Sequence, residues 1–236
     1  MSAWHNQEFA THHNGLDGTA ARLNFNTRLM VRWISVLSSW NKAGYFTPAG
    51  RGNEGEARFA SGECALLTAS SASSAELRQR AKFDLGVAEL PHYDDIGGAP
   101  HHTLVGGAAL WVMAGKPKAE QRGAAKFLSW VSHVEVQAEW HEKTGYMPLT
   151  MAAYELARTQ GWYKNHPGQQ IAMKQLLGKA PTRESAGIRL GDFRRIRAII
   201  DEELEQVWGG RKTPLEALNT AVARGNGVLE SFARSH

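Results

Sequence analysis

Helical periodicity is the feature that most narrows the folds open to this chain. Between residues 27 and 43 the apolar side chains recur at intervals of three and four, and Gly44 follows as a stop signal. Residues 192–208 repeat the spacing and collect one apolar face, made of Phe193, Ile196, Ile199, Ile200, Leu204 and Val207. Both stretches therefore predict amphipathic helices.

Most of the chain beyond Pro117 has the same helical character. Helices are predicted at residues 118–132, 134–143, 151–159 and 169–178, with a break near Ser132–His133. Thr213 and Pro214 predict the start of a last helix, because a capping hydroxyl followed by proline suits the first helical turn. Shorter helices are expected at 54–60 and 75–82.

Three short apolar runs lack the helical spacing of the other segments and predict β-strands. They are CALLTA at 64–69, LGVAEL at 85–90 and TLVGGAALWVMA at 103–114, where the central glycine pair indicates a bend. Strands mixed with many helices indicate the α/β class. Three strands are too few to close a sheet unaided.

Charge and composition argue against two classes of partner. The net charge of +4 and the pI of about 9.3 make the chain mildly basic, but its Lys and Arg residues are scattered. A nucleic-acid-binding protein would more often show a stripe of one sign, so no nucleic-acid partner is predicted. No stretch approaches the roughly 20 apolar residues of a membrane-spanning helix, and no positively charged, then apolar, export signal opens the chain.

Motifs for catalysis, metals or cofactors are weak. The segment GRGNEG at 50–55 matches G-x-G-x-x-G, but Pro48 spoils a preceding strand, so a loop is the better interpretation. The pairs His12–His13 and His101–His102 are adjacent, and adjacent side chains point apart, so surface histidines are expected. His133 and His141 lack the spacing of a zinc motif and are interpreted in the same way.

No general base, nucleophile or metal set assembles from these residues. We therefore predict that the protein is not an enzyme and has no catalytic residue, metal or cofactor.

Four serines follow the first apolar run, in the segment LLTASSASSAEL at residues 66–77. If a strand precedes them and a helix follows, they occupy the turn, and Ser73 with Glu76 fits a capping box. Hydrogen bonds from the free N–H groups of the helix start to these hydroxyls would then fully explain the presence of the serines. A helix start also suits phosphate or sugar oxygens, so one serine can cap while another faces a ligand.

Several longer segments carry a resemblance to a known family. They are NEGEARFASGECALLTASSAS at 53–73, LVGGAALWVMAG at 104–115, AEWHEKTGYMPLTMAAYEL at 138–156, GIRLGDF at 187–193, IRAIIDEELEQVW at 196–208 and RGNGVLESF at 224–232. Together they resemble the glycerol-3-phosphate-binding periplasmic proteins, the solute receptors of ABC importers for glycerol 3-phosphate and glycerophosphodiesters. The likeness runs from Trp4 to Phe232.

The resemblance implies an architecture. The family fold is of the periplasmic binding protein type II kind, with two α/β lobes joined by a hinge, and this chain corresponds to roughly its second half. Residues 1–103 then belong to the second lobe, residues 104–178 return to the first lobe, and residues 179–236 return to the second. Most of the first lobe has no counterpart here, so the apolar faces of 104–178 are expected to be exposed.

The resemblance also implies ligand-binding positions. The serine of its TASS turn falls on Ser70, the second glycine of GGA on Gly107, the tyrosine of KTGY on Tyr146 and the arginine of IRAII on Arg197. A guanidinium can grip a phosphate with two hydrogen bonds. Other interpretations stay open, since Tyr146 suits a packed turn, Gly107 a mere bend, and Arg197 can pair with Asp201 one helical turn on.

Function follows from the resemblance as an expectation. It implies a periplasmic solute-binding component of an ABC importer. The expected ligand is sn-glycerol 3-phosphate or a glycerophosphodiester, and the expected partners are the permease subunits. The family's first-lobe ligand residues have no counterpart here. A phosphoester hydrolase or transferase is the alternative, and it would need a base or metal near Arg197. A helical fragment that has a structural or partner-binding role and no ligand is the third interpretation.

Overall fold

Helices provide nearly all the regular structure in the computed structural model, which describes residues 1–236. The helices are α1 (Thr11–Asn14), α2 (Arg28–Lys42), α3 (Glu54–Ala60), α4 (Ser74–Arg80), α5 (Lys118–Val131), α6 (Val134–Thr144), α7 (Met151–Thr159), α8 (Trp162–Asn165), α9 (Ile171–Leu177), α10 (Phe193–Trp208) and α11 (Pro214–Ser235). All are right-handed α-helices except α1, a single turn in which His12, His13 and Asn14 have left-handed backbone angles. Short 3-10 turns cover Ala3–His5 and Ser71–Ser73. None of these helices has both the length and the apolar character needed to cross a membrane.

The predicted long helices are confirmed, and so are their start signals. The Thr27 hydroxyl accepts a hydrogen bond from the Met30 amide at the start of α2, at 3.4 Å. Thr213 and Glu216 form a reciprocal capping box at the start of α11, with Pro214 in the first turn. Helix α5 ends before Ser132–His133 and α6 begins after it, so the predicted break lies where it was expected.

The chain divides into two compact units. The first contains Met1–Glu54, Pro91–Val105 and Leu176–His236, and the second contains Gly55–Leu90 and Gly106–Gln175. Two of these boundaries lie within three residues of the predicted lobe boundaries at 103/104 and 178/179. Residues 55–90 pack with 106–175 rather than with the rest of 1–103, and the assignment of segments to lobes stays a prediction.

The core of the first unit lies between α2, α10 and α11. The predicted apolar face of α10 is confirmed, because Ile196 is fully buried and its helical neighbours Ile199 and Val207 are nearly so. The buried members of this core are Ala10, Leu23, Phe25, Ile34, Ile196, Ile199, Val207, Ala217, Leu218, Ala221, Val228 and Leu229. Burial of large apolar side chains gives this unit most of its stability, at about 1.5–3 kcal/mol for each fully buried Leu, Ile or Phe.

A buried carboxylate ties α10 to α11 and to the loop between them. Glu203 is buried, and it pairs with Lys212 and, at 2.8 Å, with Arg224 on α11. Burial alone would raise the pKa of Glu203, but the hydrogen bonds from Lys212 and Arg224 outweigh it and lower the pKa. Removal of either cation would leave a buried charge with less compensation.

The three predicted strands are wrong. Residues 64–69, 85–90 and 103–114 adopt neither helix nor strand, and the only β-bridge in the structure joins Ala10 to Leu23. The physical reason is that an apolar run becomes a strand only beside another extended backbone that completes its hydrogen bonds. No segment of this chain lies beside these runs in that way.

The second unit buries little and exposes much apolar surface. Its buried apolar residues are Ala60, Leu77, Ala138, Ala153, Ala157, Tyr163 and Met173. Helix α5 buries no residue at all, and Trp111 in the 103–114 segment is 88% exposed. The uncovered face, defined here as Leu110, Trp111, Met113, Phe127, Trp130 and Trp140, agrees with the expectation of exposed apolar surface in 104–178.

Two glycines of α11 provide a matched test of the first unit's core. A Cβ at Gly225 would lie 2.4 Å from Leu23 Cδ1, whereas a Cβ at Gly227 would meet nothing within 4 Å. Because α11 already packs tightly there, Gly225→Ala should lower the free energy of unfolding by about 1 kcal/mol. Gly227→Ala should raise it by about 0.5–1 kcal/mol, because alanine favours a helix interior.

Urea unfolding of the two variants beside the wild type measures this difference. Equal stabilisation by both substitutions would show that the contact between α11 and Leu23 is loose.

Candidate functional site

The serine turn begins with Ser70, one of the four predicted ligand positions. Ser70 is exposed and in an extended conformation, and its hydroxyl accepts a hydrogen bond from the Ala72 amide at 3.3 Å. It thus caps the 3-10 turn Ser71–Ser73 that leads into α4. A second lone pair and the hydroxyl proton of Ser70 stay available to a ligand.

The predicted capping box of Ser73 and Glu76 is wrong. Ser73 has helical backbone angles, φ −74° and ψ −13°, whereas a capping residue normally has extended ones. Its hydroxyl instead donates to Glu56 Oε1 at 2.6 Å, and Glu76 accepts from Arg80 at 2.7 Å. The 3-10 turn moves the capping role three residues earlier, to Ser70.

Tyr146 follows the glycine that ends α6. Gly145 has a φ of +78°, a left-handed conformation that costs glycine little and other residues more. Tyr146 is 45% exposed, and its amide donates to Thr144 Oγ1 at 3.2 Å. The ring hydroxyl has no partner within the chain, so it is free to bind a ligand.

The serine turn and the Tyr146 turn lie against each other. A Cβ at Gly145 would come within 2.7 Å of Ser74 Oγ and 3.2 Å of the Ser71 carbonyl oxygen. Ser74 is held in turn by Gln169, whose Nε2 donates to Ser74 Oγ at 3.1 Å. The structure therefore brings together, within one unit, the two turns that carry Ser70 and Tyr146.

Gly107 belongs to the same unit and is exposed. Its φ of +147° is a conformation that residues with a side chain rarely adopt, and a Cβ there would meet nothing within 4 Å. The position is therefore open, and its glycine is required by the backbone conformation rather than by a close neighbour.

Arg197 lies on α10 in the other unit. It is exposed and forms no ion pair or hydrogen bond, so the open interpretation that it pairs with Asp201 is wrong for this structure. Its neighbour Ile196 faces the core, which directs the arginine side of the helix to solvent. A free guanidinium keeps its bidentate capacity for an anion.

A buried histidine is the feature that sequence reasoning missed. His141 was expected at the surface but is only 2% exposed, and His101 and His102 are also buried, contrary to expectation. The His141 Nδ1 donates to the Tyr146 carbonyl at 2.5 Å, and its Nε2 lies 2.9 Å from the Tyr163 hydroxyl. Its spacing from Val134 and Ala138, seven and three residues earlier on the same helical face, was the signal available in the sequence.

Comparison with protein families gives a match over most of the chain. Residues 1–170 match the family described as bacterial extracellular solute-binding protein.

Named relatives point in the same direction. The chain is 49% identical over 236 residues to the sn-glycerol-3-phosphate-binding periplasmic protein UgpB of Yersinia enterocolitica. It is 50% identical over 235 residues to the protein of the same name from Salmonella typhimurium. In both cases the match covers all of this chain but 54% of the relative, so the chain spans about half the length of these relatives.

Two solved structures share the fold. A cyclic α-maltosyl-1,6-maltose binding protein from Arthrobacter globiformis matches 97% of this chain and 54% of its own, with a TM-score of 0.67 at 18% identity. The maltose/maltodextrin-binding domain MalE of Bdellovibrio bacteriovorus matches 99% and 57%, with a TM-score of 0.67 at 20% identity. The predicted fold class, the two-lobed α/β fold of periplasmic binding proteins, is thereby confirmed, with this chain spanning part of it.

Two left-handed glycines test the contact between the turns. Gly145 and Gly161 have φ values of +78° and +80°, but only Gly145 has a neighbour that a Cβ would strike. Alanine at either position costs about 1–2 kcal/mol for the left-handed backbone. Gly145→Ala should cost about 1–3 kcal/mol more, because Ser74 and the backbone of Ser71 obstruct it.

Thermal or urea unfolding of the two variants measures this excess. Equal losses for Gly145→Ala and Gly161→Ala would show that the serine turn and the Tyr146 turn do not constrain each other.

Proposed function

Because the chain belongs to the bacterial extracellular solute-binding proteins, we propose that it carries part of the binding site of a receptor for sn-glycerol 3-phosphate or a glycerophosphodiester. Relatives at 49–50% identity are named for binding sn-glycerol 3-phosphate in the periplasm. In this proposal the receptor delivers its solute to the permease subunits of an ABC importer. It binds and releases the solute unchanged, without a metal or cofactor.

The observation that carries this proposal is the packing of the serine turn against the Tyr146 turn. These turns come from segments about seventy residues apart, yet Gly145 lies against Ser71 and Ser74. The proposed ligand-binding residues on these turns, Ser70 and Tyr146, are both exposed rather than buried in the core. Accessible polar groups carried on neighbouring turns from separate segments are what a small-molecule site needs.

We propose a role in solute binding for each of the four residues. Arg197 binds the phosphate, since a phosphate monoester carries about −1.5 to −2 charges at neutral pH and suits the two parallel donors of a guanidinium. Ser70 donates its hydroxyl proton to a phosphate oxygen. Gly107 lets its backbone N–H approach the ligand without a side chain in the way. Tyr146 offers a hydroxyl at the end of a rigid ring.

The lobe assignment belongs to the same proposal. We assign 1–103 and 179–236 to one lobe of the full receptor and 104–178 to the other, which the part of the fold beyond this chain's span would complete. The uncovered face supports this assignment, because several large exposed apolar side chains in one segment are typical of a surface that another part of the fold covers. Strand partners for 103–114 would come from that same part of the fold.

Arg197 provides the sharpest test of phosphate binding. An NMR titration with sn-glycerol 3-phosphate detects weak binding, which a partial site is expected to show. Arg197→Ala should weaken binding about 10- to 100-fold, the effect of one charged hydrogen-bonding group.

Arg195→Ala is the matched control. It removes the same charge from another exposed position of the same helix, two residues earlier and about 200° around the helix axis. We expect it to bind like the wild type. Equal weakening of binding by both substitutions would show that Arg197 contributes only through the net charge of the protein. If the wild type shows no response to sn-glycerol 3-phosphate, the proposed function is contradicted. Release of alcohol from a glycerophosphodiester would favour the hydrolase alternative.

The uncovered face gives an independent prediction. Because Trp111 and Met113 are exposed, replacing both with serine should change the free energy of unfolding by less than about 0.5 kcal/mol. The same double variant should bind an environment-sensitive hydrophobic dye much less strongly than the wild type. A large loss of stability would show that residues 103–114 pack within this chain, against the lobe assignment.

A further inference from the structure

The pair His141–Tyr163 is a buried polar contact that the proposed site does not itself use. His141 lies on α6 and Tyr163 on α8, and both side chains are buried within the second unit. Their ring centroids are 5.7 Å apart, and the Tyr163 ring also packs against Tyr154 at 5.4 Å. Buried polar groups of this kind are costly unless each finds a partner, so their arrangement needs a reason.

The partners of His141 fix the position of its proton. The Tyr146 carbonyl oxygen can only accept a hydrogen bond, so Nδ1 must carry the proton that lies on the 2.5 Å contact. In the neutral ring Nε2 is then an acceptor, and the Tyr163 hydroxyl donates to it across 2.9 Å. Burial raises the pKa of Tyr163, which keeps that hydroxyl protonated and available as the donor.

The result is a chain of hydrogen bonds that runs in one direction from a helix to a turn. Tyr163 donates to His141, and His141 donates to the backbone of Tyr146. The Tyr146 amide is held as well, through Thr144 Oγ1. Both backbone polar groups of Tyr146 are therefore fixed, while its ring extends outward and stays 45% exposed. A ligand would meet a ring whose attachment is already ordered, and so would lose less entropy on binding.

We propose that His141 and Tyr163 are positioning residues that hold Tyr146 for the ligand, a role that rests on the proposed function, in which Tyr146 contacts the solute. Neither residue touches the ligand in this proposal. Each acts through the Tyr146 carbonyl, and together they set where the tyrosine hydroxyl lies relative to the serine turn.

Tyr163→Phe is the first test, because it removes one hydroxyl and keeps the ring. Its affinity for sn-glycerol 3-phosphate, measured by NMR titration, should fall about three- to tenfold, the effect of one neutral hydrogen bond. Tyr154→Phe is the matched control, since the Tyr154 hydroxyl has no hydrogen-bond partner within the chain although its ring contacts Tyr163. We expect Tyr154→Phe to bind like the wild type.

Substitutions of His141 separate the donor from the bulk of the ring. His141→Asn keeps an N–H near the place of Nδ1 and should retain most of the affinity. His141→Leu keeps apolar volume but offers no donor, and should bind at least as weakly as Tyr163→Phe.

A double-mutant cycle separates positioning from general destabilisation. If His141 and Tyr163 act through Tyr146, Tyr163→Phe should have no further effect on affinity once Tyr146 is replaced with alanine. A loss of the same size in both backgrounds would show that Tyr163 acts through the fold as a whole, and would overturn the positioning role.

The remaining outcomes distinguish this inference from the proposed function. If the wild type binds and Tyr163→Phe binds equally well, positioning alone is overturned. If the wild type shows no response to sn-glycerol 3-phosphate, the proposed function fails, and the positioning role fails with it.

Discussion

An extended backbone needs a neighbour to complete its hydrogen bonds, and this constraint governs most of what is unusual in the structure. A helix satisfies its own amides and carbonyls, so a segment with helical periodicity folds wherever its apolar face finds cover. An apolar run of strand character has no such independence. Residues 64–69, 85–90 and 103–114 have the composition of strands but no partners, and they remain irregular beside well-formed helices.

The two units differ because of how each obtains its stability. The first has large aliphatic side chains on three helices and a buried carboxylate, Glu203, that joins two of them. The second buries mostly alanines and leaves α5 without a single buried residue. Specific polar contacts, such as those of His141 and of Ser74, also join its segments. Those contacts are the ones that fix the serine and tyrosine turns, so the candidate site and the stability of the unit share their supports.

The candidate site is built from turns rather than from the faces of helices. Turns expose backbone groups and short hydroxyls, which suits a small polar solute, but they need support from the structure behind them. Gly145 provides this by letting one turn approach the other, and the hydrogen bonds of His141 hold the residue that follows it. Arg197 is placed differently, because it lies on a long helix whose opposite side is buried in the first unit's core. The exposed guanidinium of Arg197 is therefore carried by a regular helix, whereas the hydroxyls of Ser70 and Tyr146 are carried by turns.

The sequence by itself determined the long helices, their capping residues at Thr27 and Thr213 and the apolar face of α10, because these depend on residues only three or four positions apart. It also identified the family, through motifs that are contiguous in the chain. Only the tertiary structure decided that Ser70 rather than Ser73 caps the serine turn, that His141 is buried and that Arg197 does not pair with Asp201. The first two depend on which other segment lies beside the residue, since Glu56 contacts Ser73 and Tyr163 contacts His141. The spacing of residues along the chain carries no information about such tertiary contacts. For the same reason, the sequence analysis predicted strands in segments that have no partner strand.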